Sequence, residues 1–441
     1  MDDWGPAMPL LKGAGARYAL AGKLFGSTAV AQGAALVATV VAATRAGPID
    51  FAIYAGIRAA TSVVSSVNAM ATETRLPVVS EEDSRALIRV ATTTVVGTSL
   101  LAALVGAVAY LGHATWAPIA LLLGPSWLAV STTNVVTAAV IRANQPHLLA
   151  RNRVLSGFSN AALIVALIFT PLPGYLVLTG AFIISTILGV AVMVQGLPGW
   201  LSQARPARRG DWRLVQREVG WQPLNNLAAN LGTALPALML PALGATIVAG
   251  AWALLSRIMN AVVNVVYSTA APLYSADFAR LVREGDGVER ARFHRLWLGR
   301  LLLLAVPSLV GIVVGVRWVV PLLGEQWRVT SMVLVPACLS FVVLMIWLPM
   351  SQTLVLIGRT KLEMIWTVSN LAVSAGALAM IPGWGGERAL TVWAVAQVLS
   401  LAVHVVLQRR AISEPLAVPP IQGRSPSPGE TSPGSAALGE G

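Results

Sequence analysis

Long apolar runs alternate with short polar breaks from residue 22 to residue 408. Six runs fall at about 22–44, 51–72, 87–111, 117–141, 154–171 and 175–197, and six more at about 222–243, 245–268, 296–320, 329–356, 364–383 and 389–408. Most are long enough for a helix, rising 1.5 Å per residue, to cross a hydrocarbon layer about 30 Å thick. The pattern predicts an all-α polytopic membrane protein of about twelve transmembrane helices. The runs of the second set trail those of the first by about 200 to 210 residues. Six is an even number, so both sets enter the membrane in the same direction. That predicts two six-helix bundles, related as parallel repeats, around a central cavity.

The polar breaks divide the chain further. A tail over 1–21 precedes the first bundle, 22–197. A basic break, 198–221, separates it from the second bundle, 222–408, and a tail rich in Pro, Gly and Ser fills 409–441. That last composition holds too little apolar surface to fold alone and predicts disorder. The break carries Arg205, Arg208, Arg209, Arg213 and Arg217 against Asp211 and Glu218. Trp212, Val215 and Val219 recur there at helical spacing, which predicts a surface helix tethering the bundles and meeting anionic membrane lipids. With loops assigned alternately, about 25 of the 31 Lys and Arg residues fall on the side of the termini. Four (Arg45, Arg317, Arg328, Arg388) fall opposite, and Arg58 and Arg257 lie within spans. The positive-inside rule then places both termini in the cytoplasm. Arg outnumbers Lys 28 to 3, which fits a GC-rich bacterial genome and so a bacterial inner membrane.

Composition narrows the function classes. Of 441 residues, 56% are hydrophobic and 11% charged, against about 25% charged in soluble domains. The net charge of +12 is spread over short loops rather than gathered on one face, so nucleic acid is not an expected partner. Cys338 is the single cysteine, which excludes an internal disulfide or a cysteine-based metal site. No nucleotide motif, catalytic constellation or metal cluster is apparent, and no cofactor is expected.

The candidate chemistry is polar residues inside spans. Arg58, Thr61, Ser65, Asn68 and Thr72 lie at i, i+3, i+7, i+10 and i+14 of the second run. Arg257, Asn260, Asn264 and Ser268 lie at i, i+3, i+7 and i+11 of the eighth. Each set follows one helix face, headed by arginine at equivalent places in the two repeats. An arginine at membrane depth costs about 2.5–3.5 kcal/mol and turns toward water or a partner. The stripes predict a binding site facing a shared cavity, with Arg58, Arg257, Asn260, Asn264, Ser65 and Asn68 as substrate contacts. The alternative is that they serve helix–helix packing. Weaker stripes are Thr28 with Gln32, Ser156 with Asn160, Asn226 with Asn230, and Thr367 with Asn370 and Ser374. His404 reads as an interhelical residue. Mid-span Asp and Glu are absent from the sequence pattern, so an arginine-headed site suits an anion, through charge-assisted bonds to phosphate oxygens.

Two segments carry a resemblance. Arg45–Ala60, RAGPIDFAIYAGIRAA, resembles the junction of the first and second spans in bacterial polysaccharide-biosynthesis flippases, through Gly47-Pro48, Phe51 and Tyr54-Ala55. Leu322–Trp366, which contains LLGEQW and PMSQTLVLIGRTKLEMIW, is similar to their ninth-loop-to-eleventh-span region. The resemblance covers about residues 17–410. It implies the multidrug/oligosaccharidyl-lipid/polysaccharide superfamily, with its two bundles around a cavity that opens alternately to each side (a MATE-like fold). It further implies that a polyprenyl-pyrophosphate-linked oligosaccharide is moved from the inner to the outer leaflet, with no covalent chemistry. Polysaccharide polymerase and glycosyltransferases would be its functional partners. The alternatives are a multidrug exporter of the same superfamily and a membrane polysaccharide polymerase or ligase.

Overall fold

A computed structural model describes residues 14–76, 79–113, 117–143, 145–197, 199–200 and 205–414. The outer parts of both tails, including the segment beyond 414 expected to be disordered, lie outside the described residues.

Among the described residues, twelve long helices carry the fold. The first six are α1 (Ala14–Ala43), α2 (Pro48–Asn68), α3 (Glu81–Leu111), α4 (Ala117–Arg142), α5 (Pro146–Leu167) and α6 (Gly174–Gln195). The second six are α7 (Gln222–Ala242), α8 (Thr246–Glu284), α9 (Gly287–Val319), α10 (Leu334–Met350), α11 (Thr360–Ala379) and α12 (Gly386–Ser413). Local chemistry sets several boundaries. Ser80 caps α3 by accepting from the Asp83 amide, and three acids fill the first turn. The Asp286 carboxylate accepts from the amides of Val288 and Glu289 to start α9. Gly285, at φ 78°, ends α8 in a left-handed conformation that costs glycine little.

Several helices outrun their apolar runs: α1 and α12 extend into the expected tails at Ala14 and Ser413, and α8 and α9 extend furthest. The charged stretch after residue 268 stays helical to Glu284, and α9 begins at Gly287 rather than near 296. Hydropathy marks where the membrane ends, not where the helix ends. Pro336 sits in the first turn of α10, where its missing N–H is harmless, and Pro349 lies in the last turn of that helix.

Nine helices among the described residues are long and apolar enough to cross a membrane, and the protein is a multi-pass membrane protein. The three long helices outside that set are α2, α5 and α7. These are the polar ones, and α2 is shielded by α4, α6, α7 and α8. A helix wrapped by protein on several sides tolerates Thr, Ser and Asn that lipid would penalise.

The repeat predicted from span spacing appears as matched packing. In the first bundle α1 packs on α5, α5 on α6, α6 on α4, and α4 on α2 and α3. The second repeats this with α7 on α11, α11 on α12, α12 on α10, and α10 on α8 and α9. The bundles meet through α2 with α7, α1 with α8, and α2 with α8.

That junction is sealed at the face opposite the termini. Gly250 of α8 lies against the Pro48 carbonyl of α2, in a space that any Cβ would overfill. Nearby, the loop between α9 and α10 reaches across to the first bundle. Its Trp327 is fully buried, donates to the Ala43 carbonyl at 2.9 Å, and meets Phe51 edge-on at 5.2 Å.

Candidate functional site

Below the sealed end, α2 and α8 bring their arginines toward each other. The Arg58 guanidinium lies over the Phe182 ring of α6, 3.7 Å from its centroid. The Arg257 guanidinium lies 5.2 Å from the centroid of Tyr54, one turn before Arg58 on α2. Tyr54 and Arg257 both lie within electrostatic range of Arg58. Each cation is thus held by an aromatic face rather than an acid. Among the described residues neither arginine takes part in an ion pair. The Arg257 Nη1 is buried and has no hydrogen-bond partner.

Asn260 and Asn264 are exposed on one face of α8, together with Tyr267. The other side of the same turns, with Val262 and Val266, lines a different space described below. The two asparagines therefore extend the arginine-headed face toward the end of α8 that leads to the termini.

Ser65 and Asn68 are placed differently. Both are buried. The Ser65 hydroxyl donates to the Ser62 carbonyl at 3.0 Å, and Asn68 donates to the Ser131 hydroxyl of α4 at 3.4 Å. Asn68 thus joins α2 to its own bundle, and Ser65 bonds within its own helix. For Asn68 the reason is angular, whereas Ser65 stays within about 20° of Arg58 and is buried there by the packing of α2. At 100° per residue, Asn68 has turned about 80° from Arg58 one way, toward α4, while Ser62 lies about 40° the other way. Ser62 is exposed, and its hydroxyl donates to the Asn230 side chain of α7 at 3.3 Å. A stripe spaced by threes and fours drifts around its helix, and the drift takes Asn68 off the side of α2 that carries Arg58.

Other polar residues form contacts within bundles. Arg153 of α5 donates to the Thr28 hydroxyl of α1 at 3.1 Å. Gln397 of α12 bridges Asn370 and Ser374 of α11, at 3.4 and 2.5 Å. His404 bonds Glu363 across α11 and α12 at 2.9 Å and stacks on Trp366, with centroids 3.9 Å apart. Its expected interhelical role is what the geometry shows.

Phe182, Tyr54 and Ser62 emerge only in three dimensions. Tyr54 stands on the same helix as Arg58 yet serves the arginine of the other bundle. One signal in the sequence, the aromatic one turn before Arg58, could have found it.

A second space lies to the side. An apolar cavity of about 600 Å³ opens between α1, α8 and α9, lined by Phe25, Leu36, Val262, Val266 and Leu304. Arg300 also borders it, with its guanidinium 6.0 Å from the Trp297 ring centroid.

No family model and no curated protein matches this sequence. Solved structures do. The chain is similar to the lipid II flippase MurJ in an inward closed conformation, with TM-score 0.64 and 13% identity over 90% of each chain. It is similar to a multidrug resistance MATE family transporter of the MOP superfamily, inward-facing, with TM-score 0.58 and 14% identity over 90% of this chain and 97% of that one. It is also similar to a MOP superfamily transporter from Pyrococcus furiosus, with TM-score 0.56 and 13% identity over 90% and 96%. At these identities the likeness is one of fold, and the all-α, two-bundle architecture of this chain is the one those transporters share.

Proposed function

We propose that this protein is a flippase, moving a polyprenyl-pyrophosphate-linked oligosaccharide from the inner to the outer leaflet of a bacterial cytoplasmic membrane by alternating access. The observation that carries the reading is the pair Arg58 and Arg257. They come from equivalent helices of the two bundles, converge beside the closed end, and have no acidic partner among the described residues. A pyrophosphate supplies the missing charge, through N–H edges left free by aromatic rings that cover the guanidinium faces. Asn260 and Asn264 are suited to phosphate oxygens or sugar hydroxyls beyond the arginines. The apolar cavity beside α1, α8 and α9 gives a lipid chain a place outside the polar cleft. In this arrangement the termini-bearing face is cytoplasmic, and the Pro48–Gly250 and Trp327 contacts close the other.

Export of drugs by the same fold is the competing reading, favoured by the likeness to a multidrug resistance transporter. The test reconstitutes the full chain in liposomes. It compares protection of a labelled polyprenyl-pyrophosphate oligosaccharide from an external enzyme with efflux of a cationic dye. Flippase activity predicts accelerated exchange of the lipid-linked sugar and dye leakage equal to that of empty liposomes. Dye efflux without sugar exchange would replace this reading with the other.

A further inference from the structure

The basic break between the bundles is not a loose tether. It holds a helix, Arg209–Val219, fixed to the first bundle. Arg89 of α3 makes two bonds to the Asp211 carboxylate, at 2.8 and 2.7 Å, and Asp211 also accepts from the Arg208 amide at 2.9 Å. The Ala207 amide donates to the Thr93 hydroxyl at 2.8 Å. Val215 and Val219 are buried in the same apolar cluster as Leu87, Val90 and Ala91 of α3. The chain leaves this helix at Gly220, whose φ of 54° and ψ of −126° only glycine adopts readily, and enters α7 directly.

These contacts fix the depth of the helix. Arg89 is the last charged residue of α3 before an uncharged run from Val90 to Leu111. That run spans about 33 Å as helix, close to the hydrocarbon thickness of about 30 Å. Arg89 therefore marks the hydrocarbon boundary, and so does the carboxylate bound to it. Thr93 lies one turn deeper. The linker helix rests at headgroup level.

Its free face has matching chemistry. Arg209, Trp212, Arg213 and Gln216 are exposed. Among the described residues neither Arg209 nor Arg213 takes part in an ion pair, whereas Arg217 is partly neutralised by Glu218 at 3.2 Å. Tryptophan favours the membrane–water boundary, where its ring is half apolar and half wet. We propose that this face is a docking surface for anionic phospholipid headgroups, held by Arg209 and Arg213 with Trp212 seated between them at the interface. The bound lipids are thereby anchored to the first bundle, and the articulation between bundles is the short elbow at Gly220–Trp221. This surface does not depend on what the central cleft carries.

The test uses the full chain in detergent, titrated with short-chain phosphatidylglycerol and phosphatidylcholine. Wild type binds phosphatidylglycerol more tightly than phosphatidylcholine. Each arginine near an anionic surface contributes about a fivefold change in affinity, so Arg209→Gln with Arg213→Gln weakens phosphatidylglycerol about 25-fold and leaves phosphatidylcholine unchanged. Gln216→Arg, on the same face, tightens phosphatidylglycerol about fivefold. None of these positions touches Asp211, so the helix stays docked. Equal affinity for the two lipids in wild type, or an unchanged phosphatidylglycerol affinity in the double variant, overturns the proposal. A nitroxide attached through Trp212→Cys in liposomes reports depth, and the expected reading is the headgroup level. Full aqueous accessibility there would also overturn it and assign the face to a soluble acidic partner.

Discussion

The stripes on α2 and α8 share their spacing through the seventh residue, start with the same residue and occupy the same place in their repeats, yet they end differently. After Arg257, Asn260 and Asn264 stay exposed on one face of α8. After Arg58, Ser65 and Asn68 turn inward, and Asn68 bonds Ser131. The difference lies in the neighbours. α2 is packed by α4 and α6 of its own bundle and by α7 and α8 of the other, so little of its surface stays free. α8 packs on α1, α2, α7, α9 and α10 along its greater length, but leaves the Asn260–Asn264 face open. Similar spacing thus leaves an open surface in one repeat and a packed surface in the other.

The two stripes share one foundation, the contact of Pro48 with Gly250. Gly250→Val places side-chain carbon against a backbone carbonyl that cannot rotate away. The expected loss is about 3 kcal/mol, seen as a lower thermal midpoint in detergent together with abolished transport. A normal midpoint would mean that the helices do not cross there.

Next comes a substitution that should behave oppositely on the two stripes. Asn68→Leu leaves the fully buried Ser131 without its side-chain partner, and about 1–2 kcal/mol of stability should be lost. Asn264→Leu changes an exposed position, so stability should stay within about 0.5 kcal/mol of wild type. Transport should instead fall about 2- to 10-fold, the size of one neutral hydrogen bond. Equal effects of the two variants on thermal midpoint would erase the distinction between the stripes.

The fold was legible because hydropathy and its repeat follow directly from the solvent a helix must cross. The six-plus-six layout could be read from apolar runs alone, and the two membrane arginines were found by their cost. What periodicity lacks is the identity of the neighbour. Phe182 stands on another helix from Arg58, and Tyr54 serves an arginine about 200 residues away, so neither pairing has a local signature. Ser62 was missed because it lies off the regular stripe, on the side that the drift exposes. The linker helix gave up its amphipathic face to sequence reading, but its fixation by Arg89 joins residues 122 positions apart.

The smallest expected effect concerns that fixation. The Arg89 guanidinium and the Arg208 amide hold the Asp211 carboxyl below the usual carboxylate range. A depressed folded value means that the stabilisation is fully present above the unfolded value, about 3.9, and is lost as pH falls through the lower folded value. The linker helix should keep its hydrogen-exchange protection through neutral and mildly acidic pH and lose it only in strong acid. Loss of protection near pH 6 would point to a different anchor.

The account rests on two arginines meeting one anion, and that can be measured directly. Purified wild type, Arg58→Ala and Arg257→Ala proteins are reconstituted at equal density, and exchange of a labelled polyprenyl-pyrophosphate oligosaccharide is timed. A charge-assisted bond contributes about 1.5–3 kcal/mol, so each variant should slow exchange at least about tenfold while its thermal midpoint holds. Wild-type exchange rates in both variants would contradict the claim that these residues receive the pyrophosphate.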